Sequence, residues 1–462
     1  MNTFKIKQGL DIKMEGKAAT EIDGYEFSDK IALVPDNYLG LTLKPAVKQG
    51  DRVKAGGVVM FDKNFPELKI VAPKSGVIDE VARGNKRKLL YISILTDKKQ
   101  EYEVFPTWNK IAGQARNDNG TTEREYLYAI ILNAGFGALI RQRPYDIVAM
   151  PNRFPKAIFV SAFDTAPLAP DYNFVMKGQK SNLQAGLSAL AKLTDGKVFY
   201  SVGKNTADEL RTFKDVEINE FDGPHPAGNV SVQINRLAPI NKGEVVWTMN
   251  IEDVALLGKF LLTGKTDFTK IIALAGEGFE KPSYISTVTG VQIADILHYN
   301  IYKGIKLRYI AGNPLTGEKV LENDFLSPFA PQITAIPEGD STHELLGWIM
   351  PRFDSFSTTN LYFTKILQKI CPKKRFSFDA RILGGERAFI MSGEYEKVFP
   401  LDIMPEQLVK AMIVKNIDKM EQLGAYEVAP EDFALCEFVC TSKIPVQKIV
   451  RESLDYMRKE LE

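Results

Sequence analysis

Between residues 156 and 264, β-type runs and helix-type runs take turns, and that alternation limits the chain more than any single motif. "KAIFVSA" (156–162), "KVFYSVG" (197–203) and "VEINEF" (216–221) are short, rich in β-branched and aromatic residues, and bounded by turn residues. Between the first two, "SNLQAGLSALAKL" sets Leu183, Leu187 and Leu190 at helical spacing, with Gly196 following as a terminator. "TADELRTF" reads as a short helix, "EVVWTMN" (244–250) as a returning strand, and "IEDVALLGKFLLTGK" as a helix closed by Gly264. Strands separated by helices predict a parallel sheet in an α/β domain.

The composition changes on either side. Residues 1–105 are rich in Val, Ile, Gly and Lys, in short runs parted by turns such as "KQGD" and "KSG", an all-β pattern. Residues 106–121, "PTWNKIAGQARNDNGT", are polar and glycine-spotted, as linkers are. Thr122 and Glu125 then form a capping box that opens a helix through Tyr126 and Leu132, ending near Gly135. After Gly264, "KIIALAG", "YISTVTG", a short helix around "VQIADILH" and "IKLRYIAGNPLTGEKV" predict a small α+β unit. From 330 the chain turns mainly helical. Pro445 opens a final helix with Val446, Ile449, Val450, Leu454 and Met457 on its apolar face. At 462 residues the chain exceeds one comfortable core, and four domains are expected, over 1–105, 106–264, 265–329 and 330–462.

Composition removes whole classes of function. The 59 Lys and Arg against 58 Asp and Glu leave a net charge of +1, and the basic block "PKKR" reads as a solvated turn, so no nucleic acid is expected as partner. Cys371, Cys436 and Cys440 are too few for a disulfide framework and suit a reducing cytoplasm. The opening "MNTFKIKQGLDIKMEG" lacks the apolar core of a secretory leader, and none is expected. The nearest approach to a membrane span, "AIILNAGFGALI" (129–140), is short and broken by glycines.

Catalytic signatures are absent: there is no nucleophile elbow, Walker loop or His-Glu-x-x-His motif. His298 and His343 read as structural or surface residues. His225 lies in "GPHPAG", a Pro-flanked loop after the third strand, at the end where open α/β sheets take ligands. Cys436 and Cys440 would share one helical face but offer at most two ligands, and they read as buried small hydrophobes. In "NAGFGALIRQRP" (133–144) a glycine turn leaves a helix, and Arg141 and Arg143 follow. Glycines let a flat ring or a phosphate come close, and arginines supply charged donors. With neither a third glycine nor a preceding strand, the stretch is not a dinucleotide fingerprint, and a plain turn remains the alternative. Phe353, Phe356, Tyr362 and Phe363 crowd one segment, as in a core or a partner interface.

"GDRVKAGGVVMFDKNFPELKIVAPKSG" (50–76) resembles the hairpin of domains that carry biotin or lipoate on a lysine. The position of that lysine falls here on Phe65, between Asn64 and Pro66, with Lys63 two positions away, so the fold is expected without the attachment chemistry. Together with "FKIKQGLDIKMEG", "GFGALIRQRP", "SAFDTAPLAPDY", "GPHPAGNVSVQI", "GGERAFIMSGEYEKVFPLDIMP" and "DFALCEFVCTSK", it makes the whole chain resemble the A subunits of bacterial Na+-translocating NADH:quinone oxidoreductases. That family is similar in architecture to the flavin-binding NADH subunit of respiratory complex I and to the C subunit of the Rnf complex. The resemblance implies a multidomain α/β fold: an all-β barrel-sandwich hybrid, a Rossmann-like α/β domain, a small β-grasp domain and a helical C-terminal domain. Those relatives hold flavin on a "GxGGAGFP" turn. Here "NAGFG" has Asn133 in place of a glycine and no equivalent proline, and the relatives' cysteine-rich cluster motifs have no counterpart.

The resemblance further implies a peripheral subunit on the cytoplasmic side of the bacterial inner membrane, in a complex that oxidises NADH, reduces ubiquinone or menaquinone and exports Na+. FAD, FMN, riboflavin, Fe–S centres, NADH and the sodium path are implied to belong to partner subunits. This chain is expected to bind none of those cofactors, to be inactive alone, and to contribute to quinone binding. A quinone head needs hydrogen-bond donors at its carbonyls and an aromatic or flat glycine surface at its ring. Phe136 and Gly137 are expected to face the ring and Arg141 and Arg143 to donate, with Tyr38 and His225 as further contacts. The competing expectation is a scaffold that docks the NADH-oxidising partner without a working quinone site.

Overall fold

Runs of two to eight residues between turns leave the first hundred residues no room for an α-helix, and they form strands. The computed structural model describes residues 1–25, 28–112, 122–298, 300–340 and 373–462, with a few positions between 355 and 371. Its first strands are β1 (Asn2–Lys5), β2 (Ile22–Tyr25), β3 (Lys30–Leu33), β4 (Leu43–Pro45), β5 (Arg52–Val53), β6 (Val58–Asp62), β7 (Lys69–Val71), β8 (Gly76–Arg83) and β9 (Leu89–Thr96). Two small antiparallel sheets, β3-β9-β8-β5 and β4-β6-β7, share a buried core that includes Val59, Met60, Ile70, Ile92 and Ile94. At the β6–β7 tip the Asp62 carboxylate accepts the N–H groups of Thr42 (2.6 Å), Asn64 and Phe65 (both 2.9 Å). Half-buried Phe65 packs against both large cores of the molecule. Where a carrier domain would present its lysine, this chain has a docking point.

The alternating stretch forms the expected sheet. Helices α1 (Trp108–Ala112) and α2 (Glu123–Asn133) lead into β10 (Arg141–Arg143), β11 (Ile147–Val148) and β12 (Ala157–Ser161). Then come α3 (Tyr172–Val175), α4 (Lys180–Lys192), β13 (Lys197–Gly203), β14 (Glu217–Asp222), α5 (Val230–Leu237), β15 (Val246–Asn250) and α6 (Ile251–Thr263). Strand order is β1-β14-β13-β12-β15-β10-β11, parallel from β1 to β15 and antiparallel at β10 and β11. Leu183, Leu187 and Leu190 are fully buried on α4. Helices α4 and α6 approach backbone to backbone: a Cβ on Gly258 would sit 1.7 Å from the Asn182 carbonyl oxygen, and one on Gly186 2.2 Å from that of Val254. No other residue fits there. "TADELRTF" yields only a 3-10 turn over Asp208–Leu210. Part of the expected linker is α1, and residues 113–121 lie outside the described residues.

A six-stranded sheet follows, in the order β19-β18-β20-β16-β17-β2. Its strands are β16 (Thr269–Ala275), β17 (Ser283–Val288), β18 (Leu307–Ala311), β19 (Glu318–Val320) and β20 (Gln332–Pro337), with α7 (Ile293–Leu297) between β17 and β18. Two strand pairings cross the expected boundaries. β1 and β2 hydrogen-bond to β14 and β17, so the first 25 residues tie the other two sheets to the barrel domain. β20, beyond 329, pairs with β16 and β18 in the β-grasp sheet.

The chain is irregular from 373 to 404 and then helical: α8 (Pro405–Ile413), α9 (Ile417–Gln422), α10 (Ala434–Val439) and α11 (Val446–Leu461). On α11 Val446, Val450, Leu454 and Met457 are fully buried, and Ile449 packs at their margin. Cys436 and Cys440 are buried thiols, and the Tyr395 hydroxyl donates to Cys440 Sγ at 3.1 Å. Phe356 packs on Phe376 and Phe378, whereas Phe353, Tyr362, Phe363 and His343 lie outside the described residues.

Candidate functional site

The glycine turn is held from both ends. The Thr122–Glu125 capping box starts α2: Glu125 N–H donates to Thr122 Oγ1 (3.3 Å) and Thr122 N–H to Glu125 Oε2 (2.9 Å). After α2, Gly135 adopts φ 83°, the left-handed region that favours glycine. A Cβ there would lie 2.7 Å from Val71 Cγ2, so β7 of the barrel domain covers the turn. Phe136 is fully buried, stacked on Phe268 at 5.1 Å and against Phe260 at 4.9 Å. Gly137 is equally buried, its Cβ direction closed by Leu132 at 2.5 Å. A flavin ring does not fit on this turn, because the barrel domain and an aromatic core fill the space.

Arg141 and Arg143 serve a different purpose from the one expected. Their strand runs into a tight turn that brings Asp146 back between them. Arg141 Nε donates to Asp146 Oδ1 (3.1 Å), and its guanidinium lies over the Phe329 ring at 5.3 Å. Arg143 is buried, bonded to Asp146 and to Glu431 Oε1 (3.2 Å) of the C-terminal region. Arg451 of α11 donates to the Tyr145 and Asp146 carbonyl oxygens at 2.7 and 3.1 Å. Burial opposes ionisation of Asp146, but Arg141, Arg143 and Arg451 override it and hold the carboxyl below the usual range. These arginines clasp the helical region to the sheet. Tyr38, buried, meets the other side of this junction, its ring edge-on to Phe329 at 6.1 Å.

At the carboxyl ends of the parallel strands the order reverses between β12 and β15, the place where such sheets take ligands. Here the first turn of α6 carries Glu252 and Asp253, both buried. Lys270 of β16 faces them, its ammonium donating to the carbonyl oxygens of Pro328 (2.9 Å) and Ala330 (2.8 Å). Burial pushes Glu252 up to about 8 and Asp253 to about 7, with Lys270 opposing. A helix N-terminus that elsewhere attracts phosphate is supplied with the chain's own acids. On the loop after β14, His225 is buried: its N–H donates to Asp11 Oδ1 (3.0 Å), and Nδ1 lies 3.1 Å from Thr165 Oγ1. Nε2 has no partner among the described residues, and desolvation lowers the imidazole to about 4.

An open cavity of about 460 Å³ lies beside the start of the glycine turn, between the barrel and α/β domains. Its lining includes Val58, Lys69, Phe105, Pro106, Ile130 and Asn133. Lys69 Nζ donates to Asn133 Oδ1 at 2.6 Å. None of the six residues expected from sequence lines it: Phe136, Gly137 and Arg143 are core, Arg141 and Tyr38 meet across Phe329, and His225 anchors the N-terminal segment. Asn133 was visible as the glycine replacement, but nothing local marked Lys69.

Fold and site together define a multidomain α/β protein, with an all-β domain and a small mixed-sheet domain docked on its main sheet, in which no described helix is long and apolar enough to cross a membrane. Residues 4–97 match the NqrA N-terminal barrel-sandwich hybrid domain, 122–266 the NqrA second alpha/beta domain, and 271–322 the NQRA C-terminal domain. The A subunit of the Na(+)-translocating NADH-quinone reductase of Rhodopirellula baltica is 35% identical, over 99% of this chain and 98% of that one. Those of Hahella chejuensis and Neisseria meningitidis serogroup B are 34% and 33% identical, over 99% of this chain and all of theirs. The chain belongs to this family, the NqrA subunits.

Proposed function

We propose that this chain is the peripheral NqrA component of a complex that couples NADH oxidation and quinone reduction to Na+ export, seated on the cytoplasmic side of the bacterial inner membrane. The full-length kinship to subunits of that name carries the reading. NADH, FAD, FMN, riboflavin and Fe–S centres belong, on this reading, to the partner subunits. The chain's own part is to bind the quinone head. The proposed seat is the cavity beside Asn133, in place of the turn and arginines: Val58, Phe105, Pro106 and Ile130 offer apolar walls, and Lys69 and the Asn133 amide offer donors to a quinone carbonyl. A charged donor suits an oxygen that becomes negative on reduction.

Titration of the purified chain with a short-chain soluble quinone, read by tryptophan fluorescence, should saturate at one equivalent. Lys69→Met should weaken binding roughly tenfold or more, the loss of one charge-assisted hydrogen bond. Unsaturable quenching, or an unchanged affinity in the variant, would favour the scaffold reading instead.

A further inference from the structure

Residues 382–393, "ILGGERAFIMSG", form an exposed strip with neither helix nor strand pairing. Ile382, Leu383, Ile390 and Met391 are 74, 62, 60 and 47% exposed. The strip is tied down at its middle and its end: the Ala388 carbonyl accepts from Ser442 Oγ at 3.0 Å, and half-buried Phe389 packs against Tyr395 at 6.0 Å. Arg387 N–H donates to the Ser442 carbonyl at 2.8 Å, and Ser392 and Gly393 N–H groups donate to Glu406 Oε1 at 3.0 and 2.8 Å. That second tie sets Met391 near the start of α8, where Met404 is 59% exposed. Between the ties, the N–H groups of Ala388, Phe389, Ile390 and Met391 donate to nothing among the described residues. From Gly385 to Ser392 no residue takes a positive φ.

We propose that this strip is an open edge that receives an extended, apolar segment of another subunit, which pairs with the 388–391 backbone as an added strand. The inference rests on the reading of the chain as one member of a complex. Chemistry selects the occupant. Free main-chain donors between exposed apolar side chains are what strand addition uses. A lipid surface suits them poorly, since hydrocarbon cannot satisfy the N–H groups. The strip's one Glu and one Arg also leave no net positive charge to draw it to anionic headgroups.

Ile390→Pro gives a direct test. It deletes a donor that no described residue accepts, so the isolated fold should persist, but it breaks the added ladder. With the full set of subunits co-expressed, the variant should be retained in the purified membrane complex at least tenfold less than wild type. Leu321→Asp, at an exposed position of the β-grasp sheet margin, should be retained normally. In the wild-type complex, amide exchange at 388–391 should slow at least tenfold relative to the free chain. Unchanged exchange in an assembled complex overturns the proposal and leaves the reading of the chain as a complex member intact. Equal slowing in the chain alone at high concentration, or on phosphatidylethanolamine–phosphatidylglycerol vesicles, overturns it in favour of self-association or lipid. Failure of the wild-type chain to join any complex removes both readings.

Discussion

Replacing Asp253 with Asn tests whether the buried end of α6 holds protons at neutral pH. Asp253 shares the first helical turn with Glu252; Lys270 faces both, and Tyr38 and Tyr172 lie within reach of their charge. Burial moves the Asp253 carboxyl from its ordinary 3.8 to about 7, against the pull of Lys270. The unfolded chain gives up this proton near pH 4, the folded chain only near pH 7. Across that interval the folded state holds more protons, so the stability contribution is complete below about pH 4 and is lost as pH rises through about 7. At ~1.4 kcal/mol for each pH unit, the interval amounts to ~4 kcal/mol. Asn keeps the shape and stays neutral throughout. Urea denaturation at about pH 5, 6, 7 and 8, followed by tryptophan fluorescence, should show wild type losing a few kcal/mol toward the alkaline end. The variant should lose clearly less, and should gain on wild type as pH rises. Parallel pH slopes would refute the placement of a neutral carboxyl here.

Arg143→Met leaves Asp146 and Glu431 short of a buried partner and should cost ~3–5 kcal/mol; limited proteolysis should then cut between the sheet and the helical region, and unchanged resistance would count against the clasp. Leu454→Ala opens a hole under α11 and should cost ~2–5 kcal/mol in denaturant titrations, with a negligible loss arguing against that packing. His225, lowered to about 4 by burial, should show no NMR titration between about pH 5 and 8. The unfolded chain takes its proton first, so the stability linked to His225 is present above about pH 6.5 and lost as pH falls toward 4; an ordinary titration near 6.5 would place the ring in water.

Local signals in the sequence were strong where a single segment decides its own structure. The Thr122–Glu125 box, the leucines of α4 and the Gly264 stop each depend on residues within a few positions, and each forms as read. Helix α5 was hidden because Val230, Val232 and Ile234 alternate as a strand would; its burial against the sheet overrides that preference. The partners of β1 and β2 were not legible because strand pairing is long-range: Phe4 pairs with Phe221, and nothing near residue 4 records it. The arginines misled for the same reason. Arg143 looks like a free donor until Asp146 and Glu431, the latter 288 positions away, take up its guanidinium. Lys69 and Phe105 likewise meet Asn133 only after two domains have docked.

Docking also decides what occupies the glycine turn. In a dinucleotide protein the bare N–H groups of a helix start and a glycine turn wait for phosphate, and the site is whole only when the ligand arrives. Here each vacancy is closed from within. Val71 covers Gly135, Phe260 and Phe268 hold Phe136, and Glu252 and Asp253 stand at the α6 start with Lys270 opposite. Asn133 engages Lys69 where the adjoining cavity opens. The fillers come from the barrel domain, the α/β domain and the β-grasp sheet, so domain docking and closure of the crevice are one event. Reopening it with a single Asn-to-Gly change at the turn would leave Val71, the aromatic stack and the two acids in place.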